Sequence, residues 1–282
     1  MKLFLPLLIL PLLLYWSCEE ENDDSEISFT FSDEFVKHRV IGRTTTYHQD
    51  NVIWEDDYEW DGLNSISFRT ENGGERDTLV YLTYNEYGYV LLQRSPLNSA
   101  WNAGGSYCIT ERFDGWKELS TSCFYGPEEA VIYGTDTMFT WTWEWDGLTS
   151  TGTFGTNAYN QYGRLVGYYD ETIGEWVYHT LSEDGRRMLI YRGVAMCNGE
   201  RFIVEEAIWN WEGNEVEVLN QVDFDENCNV IGYSSKSHRV FDEYYNEISY
   251  VYYANYSDGN WETLSTRTAE YDYDSPFTPL TP

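Results

Sequence analysis

Aromatic or β-branched residues alternate with polar ones along most of this chain. That period of two leaves little room for anything but antiparallel strands buried on one face. Trp141-x-Trp143-x-Trp145, Tyr58-x-Trp60, Trp209-x-Trp211, Glu215 to Val218 and Tyr271-x-Tyr273 all show it. Hairpin signals separate the runs: Asp61-Gly62, Asn72-Gly73-Gly74, Tyr87-Gly88, Gly104-Gly105, Asp114-Gly115, Asp146-Gly147 and Tyr162-Gly163. They continue at Gly174, Asp184-Gly185, Asn198-Gly199, Glu212-Gly213, Asp225 to Asn227 and Asp258-Gly259. A spacing of roughly 11–16 residues leaves strands of about 7–12, with Gly supplying the positive φ of tight turns. Asp33–Val40 is the one stretch compatible with a short helical turn. The expected fold is all-β, an antiparallel hairpin meander curled into a large sandwich or barrel-like sheet.

Two internal similarities run through the meander. Aromatic-x-Trp-acid-Gly occurs at Tyr58 to Gly62, Trp143 to Gly147 and Trp209 to Gly213. Tyr84-Asn85-x-x-Gly88 and Tyr159-Asn160-x-x-Gly163-Arg164-Leu165 form the second, with a degraded copy from Phe224 to Val230. The tryptophans are unevenly spaced, 85 residues from Trp60 to Trp145 and 66 to Trp211, which ranks a continuous meander above equal propeller blades. The Tyr-Asn-x-x-Gly-Arg-Leu units resemble the tyrosine-aspartate (YD) repeats of bacterial cell-surface and toxin proteins, over about three units of ten residues. Asn85 and Asn160 stand where that family has Asp, and Tyr89 where it has Arg. The resemblance implies successive hairpins of a curved sheet; the family's enclosing role is not carried over.

The amino-terminus carries an address. Lys2, an apolar run from Leu3 to Leu14 and small Ser17 before Cys18 form a secretory signal over residues 1–17. The apolar run is shorter than the ~20 residues of a membrane-spanning helix. Cys18 after Ser17 resembles the lipobox of bacterial lipoproteins, which implies an acylated Cys18 and an outer-membrane lipid anchor. The acids that follow, Glu19, Glu20, Glu21, Asp23, Asp24 and Glu26, resemble the surface-export signal of Bacteroidota lipoproteins. Residues 18–28 read as an acidic tether, 29–274 as a single β domain, and 275–282 as a Pro-rich tail without an element.

A net charge of −31 argues against nucleic acid as a partner, because binding to phosphates needs clustered Lys and Arg. Aromatics at 18% argue against disorder. Besides Cys18 there are four cysteines, an even number in an exported chain. Cys108 and Cys123 lie equidistant from a turn of Asp114 to Lys117, which pairs them across a hairpin. Cys197 and Cys228 each adjoin a turn, with two strands between, so both fall at one end of the sheet. The expected disulfides are 108–123 and 197–228.

Candidate chemistry is sparse. The Trp141, Trp143 and Trp145 row reads as core, as do Trp60 and Trp211, whose recurrence beside a turn points to a repeated packing role. Trp116, Trp176 and Trp261 adjoin turns and are the candidates for stacking on a ligand. Asp57-x-Glu59-x-Asp61 and Asp223-x-Asp225-x-Asn227-x-Asn229 imitate calcium loops, but Phe68 and Ser234 stand where the last ligand should be. Calcium is therefore the one cofactor considered, with acidic strand faces as the simpler reading. No nucleophile elbow, zinc helix motif or phosphate loop is present. His38, His48, His179 and His238 sit in unrelated contexts, and 48 acids select no catalytic pair. Lys37-His38-Arg39 and Lys236, His238, Arg239 form two basic clusters, expected to pair with nearby carboxylates. The expected function is a non-catalytic surface protein that binds a glycan or a protein partner. A carboxylate- or Tyr-dependent polysaccharide hydrolase or lyase, and a structural subunit of an outer-membrane assembly, are the alternatives.

Overall fold

The computed structural model describes residues 29–32, 36–95, 106–113, 115–125, 138–255 and 260–279. Cys18, the signal segment and the tether lie outside the described residues. Nineteen strands follow one another: β1 (Arg39–Tyr47), β2 (Val52–Asp61), β3 (Asn64–Glu71), β4 (Arg76–Tyr84), β5 (Val90–Ser95), β6 (Ser106–Phe113), β7 (Lys117–Tyr125), β8 (Met138–Asp146), β9 (Thr149–Gly152) and β10 (Gly155–Tyr159). The meander continues through β11 (Leu165–Asp170), β12 (Glu175–Tyr178), β13 (Thr180–Leu181), β14 (Met188–Cys197), β15 (Glu200–Glu212), β16 (Glu215–Phe224), β17 (Val230–Phe241), β18 (Glu247–Asn255) and β19 (Trp261–Asp272). The described residues contain no helix. Arg39 and Val40, the end of the stretch considered for a helical turn, open β1 instead.

Apart from β12 and β13, each strand pairs antiparallel with the next, and β19 pairs with β1, so the sheet nearly closes into a barrel. A seam lies at β12–β13, a single strand interrupted at His179. Its first part pairs with β11 and its second with β14. Side chains bridge the gap: Arg192 N donates to His179 Nδ1 at 3.1 Å, and Arg192 Nη1 to the Tyr178 carbonyl at 3.0 Å.

Counting β12–β13 as one, the nineteen strands fill eighteen positions, and the three Trp hairpins β2–β3, β8–β9 and β15–β16 stand six positions apart. The repeat distances that are unequal in residues are equal in strands; connections of different length account for the difference. In each hairpin the indole meets a small residue across the ladder, Trp60 facing Ser65, Trp145 facing Ser150 and Trp211 facing Val216. These partners are buried, and the space they leave is filled by the ring. Each indole N–H donates to a carbonyl of the preceding strand: Val40 at 2.8 Å, Glu118 at 2.6 Å and Met188 at 2.8 Å.

The turn repeat obeys the same symmetry. Asn85 Oδ1 accepts N–H bonds from Tyr87 and Tyr89, Asn160 Oδ1 from Tyr162 and Arg164, and Asp242 Oδ1 from Tyr244 and Asn246. This side-chain-capped turn needs a positive φ three residues on, met by Gly88, Gly163 and Tyr245. Asp225 builds the same turn at the other end of the barrel. At the three symmetric sites an aromatic ring covers that residue. Phe277 lies over Gly88, Trp116 over Gly163, and Phe31 stacks on Tyr245 at 3.8 Å.

Aromatic triads follow: Trp60, Tyr84 and Phe277 within 5.8 Å of one another; Trp145, Tyr159 and Trp116 within 5.4 Å; and Trp211 at 5.3 Å from Phe241 and 6.1 Å from Phe31. Arg39, Lys117 and Arg187 each lie within 6 Å of two of these rings.

Two of the covering rings come from the chain ends, which strap this end of the barrel. Phe277, only 5% exposed, donates its N–H to Lys37 O, and Thr278 N–H bonds Glu86 O. The described part of the Pro-rich tail forms no strand or helix, yet it is docked through Phe277 and Thr278. Residues before β1 dock as well, Ser32 N–H bonding Glu243 O at 2.7 Å.

Candidate functional site

Both expected disulfides are present. Cys108 faces Cys123 directly across β6–β7, and Cys197–Cys228 ties the β14–β15 turn to the β16–β17 turn at the end opposite the straps. The β6–β7 loop is one residue shorter than expected. A bulge at Leu119, opposite Glu111 and Arg112, brings Lys117 into register with Phe113.

The three candidate stacking tryptophans do not converge. Trp116 belongs to a triad at the strapped end, edge-on to Trp145 at 5.2 Å, and serves packing there. Trp261 opens β19 with Lys236 Nζ 5.0 Å from its ring, so a cation already occupies that neighbourhood. Trp176 differs. It lies on the face of β12 opposite Val177, which is wholly buried, and so looks outward. Tyr178 lies on the same face, its ring 5.6 Å from that of Trp176 and inclined by only 14°. Tyr169 stands opposite Trp176 on β11, ring centroids 5.9 Å apart.

Gly167 makes this platform flat. A Cβ there would approach Tyr178 Cδ1 to 2.8 Å, so the tyrosine ring lies down across the glycine. Tyr178 is 54% exposed and Tyr169 36%. At the next ladder pair, on the opposite face and beside the β11–β12 turn, Asp170 stands across from Glu175. Asp170 accepts N–H bonds from Thr172 and Ile173 and a hydroxyl bond from Thr172, which hold its carboxyl below the usual range. Tyr169 and Tyr178 were absent from the sequence candidates. The spacing of Tyr169 and Trp176 about the Gly174 turn is the same kind of signal that paired Cys108 with Cys123.

The Trp141, Trp143, Trp145 row faces inward, with Trp141 Nε1 donating to Glu118 Oε1 at 2.8 Å, in keeping with its reading as core. The first calcium-like stretch lies on strand β2 and the second runs from the end of β16 into the β16–β17 turn. Asp57 and Glu59 alternate on the outer face of β2 beside Arg76, at 3.5 and 2.8 Å. Asp225 spends its carboxylate on turn N–H groups of Asn227 and Asn229, both at 2.8 Å. Among the described residues no three His, Cys, Asp or Glu are placed to share a metal ion.

The basic clusters part company. Lys236, His238 and Arg239 meet Glu217, Glu215 and Glu247 at 3.0–3.2 Å, the expected carboxylate pairing. Lys37 instead turns inward, Nζ 3.3 Å from the Tyr89 ring centre; burial, with the Arg112 charge, pulls its pKa down to about 8. His38 packs between Tyr244 and Tyr273, and its Nδ1 accepts an N–H bond from Asn246 Nδ2 at 3.0 Å. His179 stacks on Tyr191 at 4.2 Å. Burial lowers the pKa of both histidines. Each is held by packing. No protein-family model matches the chain, and no curated protein matches it significantly.

Proposed function

We propose that the chain is an outer-membrane lipoprotein, anchored through Cys18 and facing the cell exterior, that binds a glycan without converting it. The observation that carries this reading is the outward platform of Trp176 and Tyr178, two nearly parallel rings on a rigid sheet. Aromatic faces of this kind match the C–H faces of sugar rings and lose little entropy on binding. The platform's position supports the anchor. Residues 29–32 and 36–38 lie at the strapped end, where a tether preceding them would leave the body, while Trp176 lies beside the β11–β12 turn at the far end. Acidic surroundings favour a neutral or cationic glycan over an acidic one.

Affinity electrophoresis against neutral polysaccharides tests the reading. Trp176→Ala and Tyr178→Ala are expected to abolish retardation while Trp261→Ala leaves it intact. Retention of binding by the Trp176→Ala/Tyr178→Ala double variant would sink the platform, and release of shortened sugars by the parent protein would make it an enzyme. Cys18→Ser is expected to lose lipid labelling and protease-accessible surface display.

A further inference from the structure

A second concavity has a different origin. The three Trp hairpins are filled differently at the level four residues before each Trp. In the first, Asp56 there is buried and paired with Arg69, Oδ1 to Nε at 2.6 Å. In the second, Trp141 packs on Phe154 at 6.0 Å. In the third, the corresponding residues are Ala207 and Asn220, and they leave a cavity of about 540 Å³.

The sheet itself opens at this level. Ala207–Asn220 is the last pair of the β15–β16 ladder. Beyond it Glu206 is an extra residue in β15, and Gln221 takes a φ of 61° in β16. The strands then run on to Glu200 and Phe224 without pairing with one another. The Cys197–Cys228 disulfide and the bond from Asn198 Nδ2 to Glu226 O (3.0 Å) hold the far edge of the gap together.

The bulge has a chemical consequence. Because two consecutive residues share a face there, the Glu206 side chain turns inward beside Ala207. Its carboxyl lies where a Cβ of residue 193 would fall, so Gly193 makes room for it. Among the described residues Glu206 meets no cation; Arg192 pairs with neighbouring Glu205, and Arg239 with Glu247. Burial, and then the neighbouring Glu206, raises the pKa of Tyr191. Tyr191, Trp209 and Phe224 contribute aromatic walls, and Trp209 Nε1 is buried without an acceptor. An unpaired carboxylate and an orphaned indole N–H in an aromatic cavity are complementary to one kind of molecule.

We propose that the cavity between β14, β15 and β16 binds a small organic ammonium compound, its cation on Glu206, its apolar body among Tyr191, Trp209 and Phe224, and an oxygen acceptor on Trp209 Nε1. This site is independent of the outer platform. Calorimetric titration of the full chain with tyramine, 2-phenylethylamine and 4-hydroxyphenylacetate tests it. Saturable binding of both amines and none of the acid is expected. Glu206→Gln should weaken both amines by roughly tenfold or more. Trp209→Phe keeps an aromatic ring but loses the donor, and should weaken tyramine more than 2-phenylethylamine, which has no oxygen. Ala207→Leu, which partly fills the level, should abolish binding with the unfolding midpoint retained; should Leu unfold the chain, Ala207→Val serves. The site is overturned if neither amine binds, if the acid binds as well as the amines, or if folded Glu206→Gln binds like the parent.

Discussion

The two ends of the barrel follow different rules. At the strapped end the same solution appears three times: a Trp whose N–H bonds the neighbouring strand, a second ring before a capped turn, and a third ring covering that turn. At the far end no such triad recurs among the described residues, two turns are tied to each other by a disulfide, and the sheet splits between β15 and β16. Repetition marks where the chain secures its fold, because each triad packs large rings together with the hairpin indole N–H satisfied. Departure from repetition marks the outward Trp176 platform and the cavity beside Ala207, the two proposed sites. Trp116 and Trp176 embody the contrast: both adjoin a turn glycine, yet one covers Gly163 at the strapped end and the other lies open near the far end.

The largest expected effects test whether the three triads are equivalent. Trp60→Ala, Trp145→Ala and Trp211→Ala should each destabilise by roughly 3–5 kcal/mol in urea unfolding. One variant near zero would break the threefold reading. The next test sets glycines of the two ends against each other. Gly88 and Gly163 have positive φ and would put a Cβ 2.7 and 2.8 Å from Phe277 and Trp116, whereas Gly73 and Gly199 have positive φ with nothing within 4 Å. Alanine at the first pair should cost roughly 2–4 kcal/mol from strain and overpacking together, and at the second about 1 kcal/mol from strain alone. Equal losses would show that the covering rings yield freely.

Much of the fold was legible because strand alternation and hairpin turns are local. Cys108–Cys123 and Cys197–Cys228 followed from counting along hairpins. The threefold order was hidden because connections differ in length, although Phe241-Asp242-Glu243 repeats Phe224-Asp225-Glu226 and could have been read as another turn. Phe277 was illegible: a lone aromatic among prolines has no periodicity, and only its distant partners Trp60, Tyr84 and Gly88 define its place. Of the platform, Trp176 was found and its neighbours were not. Glu206 was beyond reach, since nothing local distinguishes a bulged Glu from the outward Glu205 beside it.

A pH titration separates burial at the strapped end from exposure elsewhere. Lys37 has its pKa lowered from 10.5 to about 8 in the fold, and Tyr89 is pushed up to about 12 by burial. Between about pH 8 and 10 the unfolded chain holds a lysine proton that the folded chain has released, so stability rises with pH. Above about pH 10 the unfolded tyrosine loses a proton that folded Tyr89 keeps, so stability falls. The rising limb should amount to something on the order of 2 kcal/mol. Lys37→Met should remove that limb and leave the falling one. A parent protein without the rise would mean that Lys37 is solvated.

The smallest effects belong to the platform. Trp176 and Tyr178 lie on the outer wall, and the buried neighbour between them, Val177, belongs to the opposite face. Removing either ring uncovers little that water does not already reach. Trp176→Ala and Tyr178→Ala should therefore shift unfolding by about 0.5 kcal/mol or less, in contrast to Trp116→Ala at several kcal/mol. Thermal unfolding of the three variants side by side decides it. A Trp176→Ala loss as large as that of Trp116→Ala would place Trp176 with the structural rings, and any glycan binding lost in that variant could then be ascribed to unfolding.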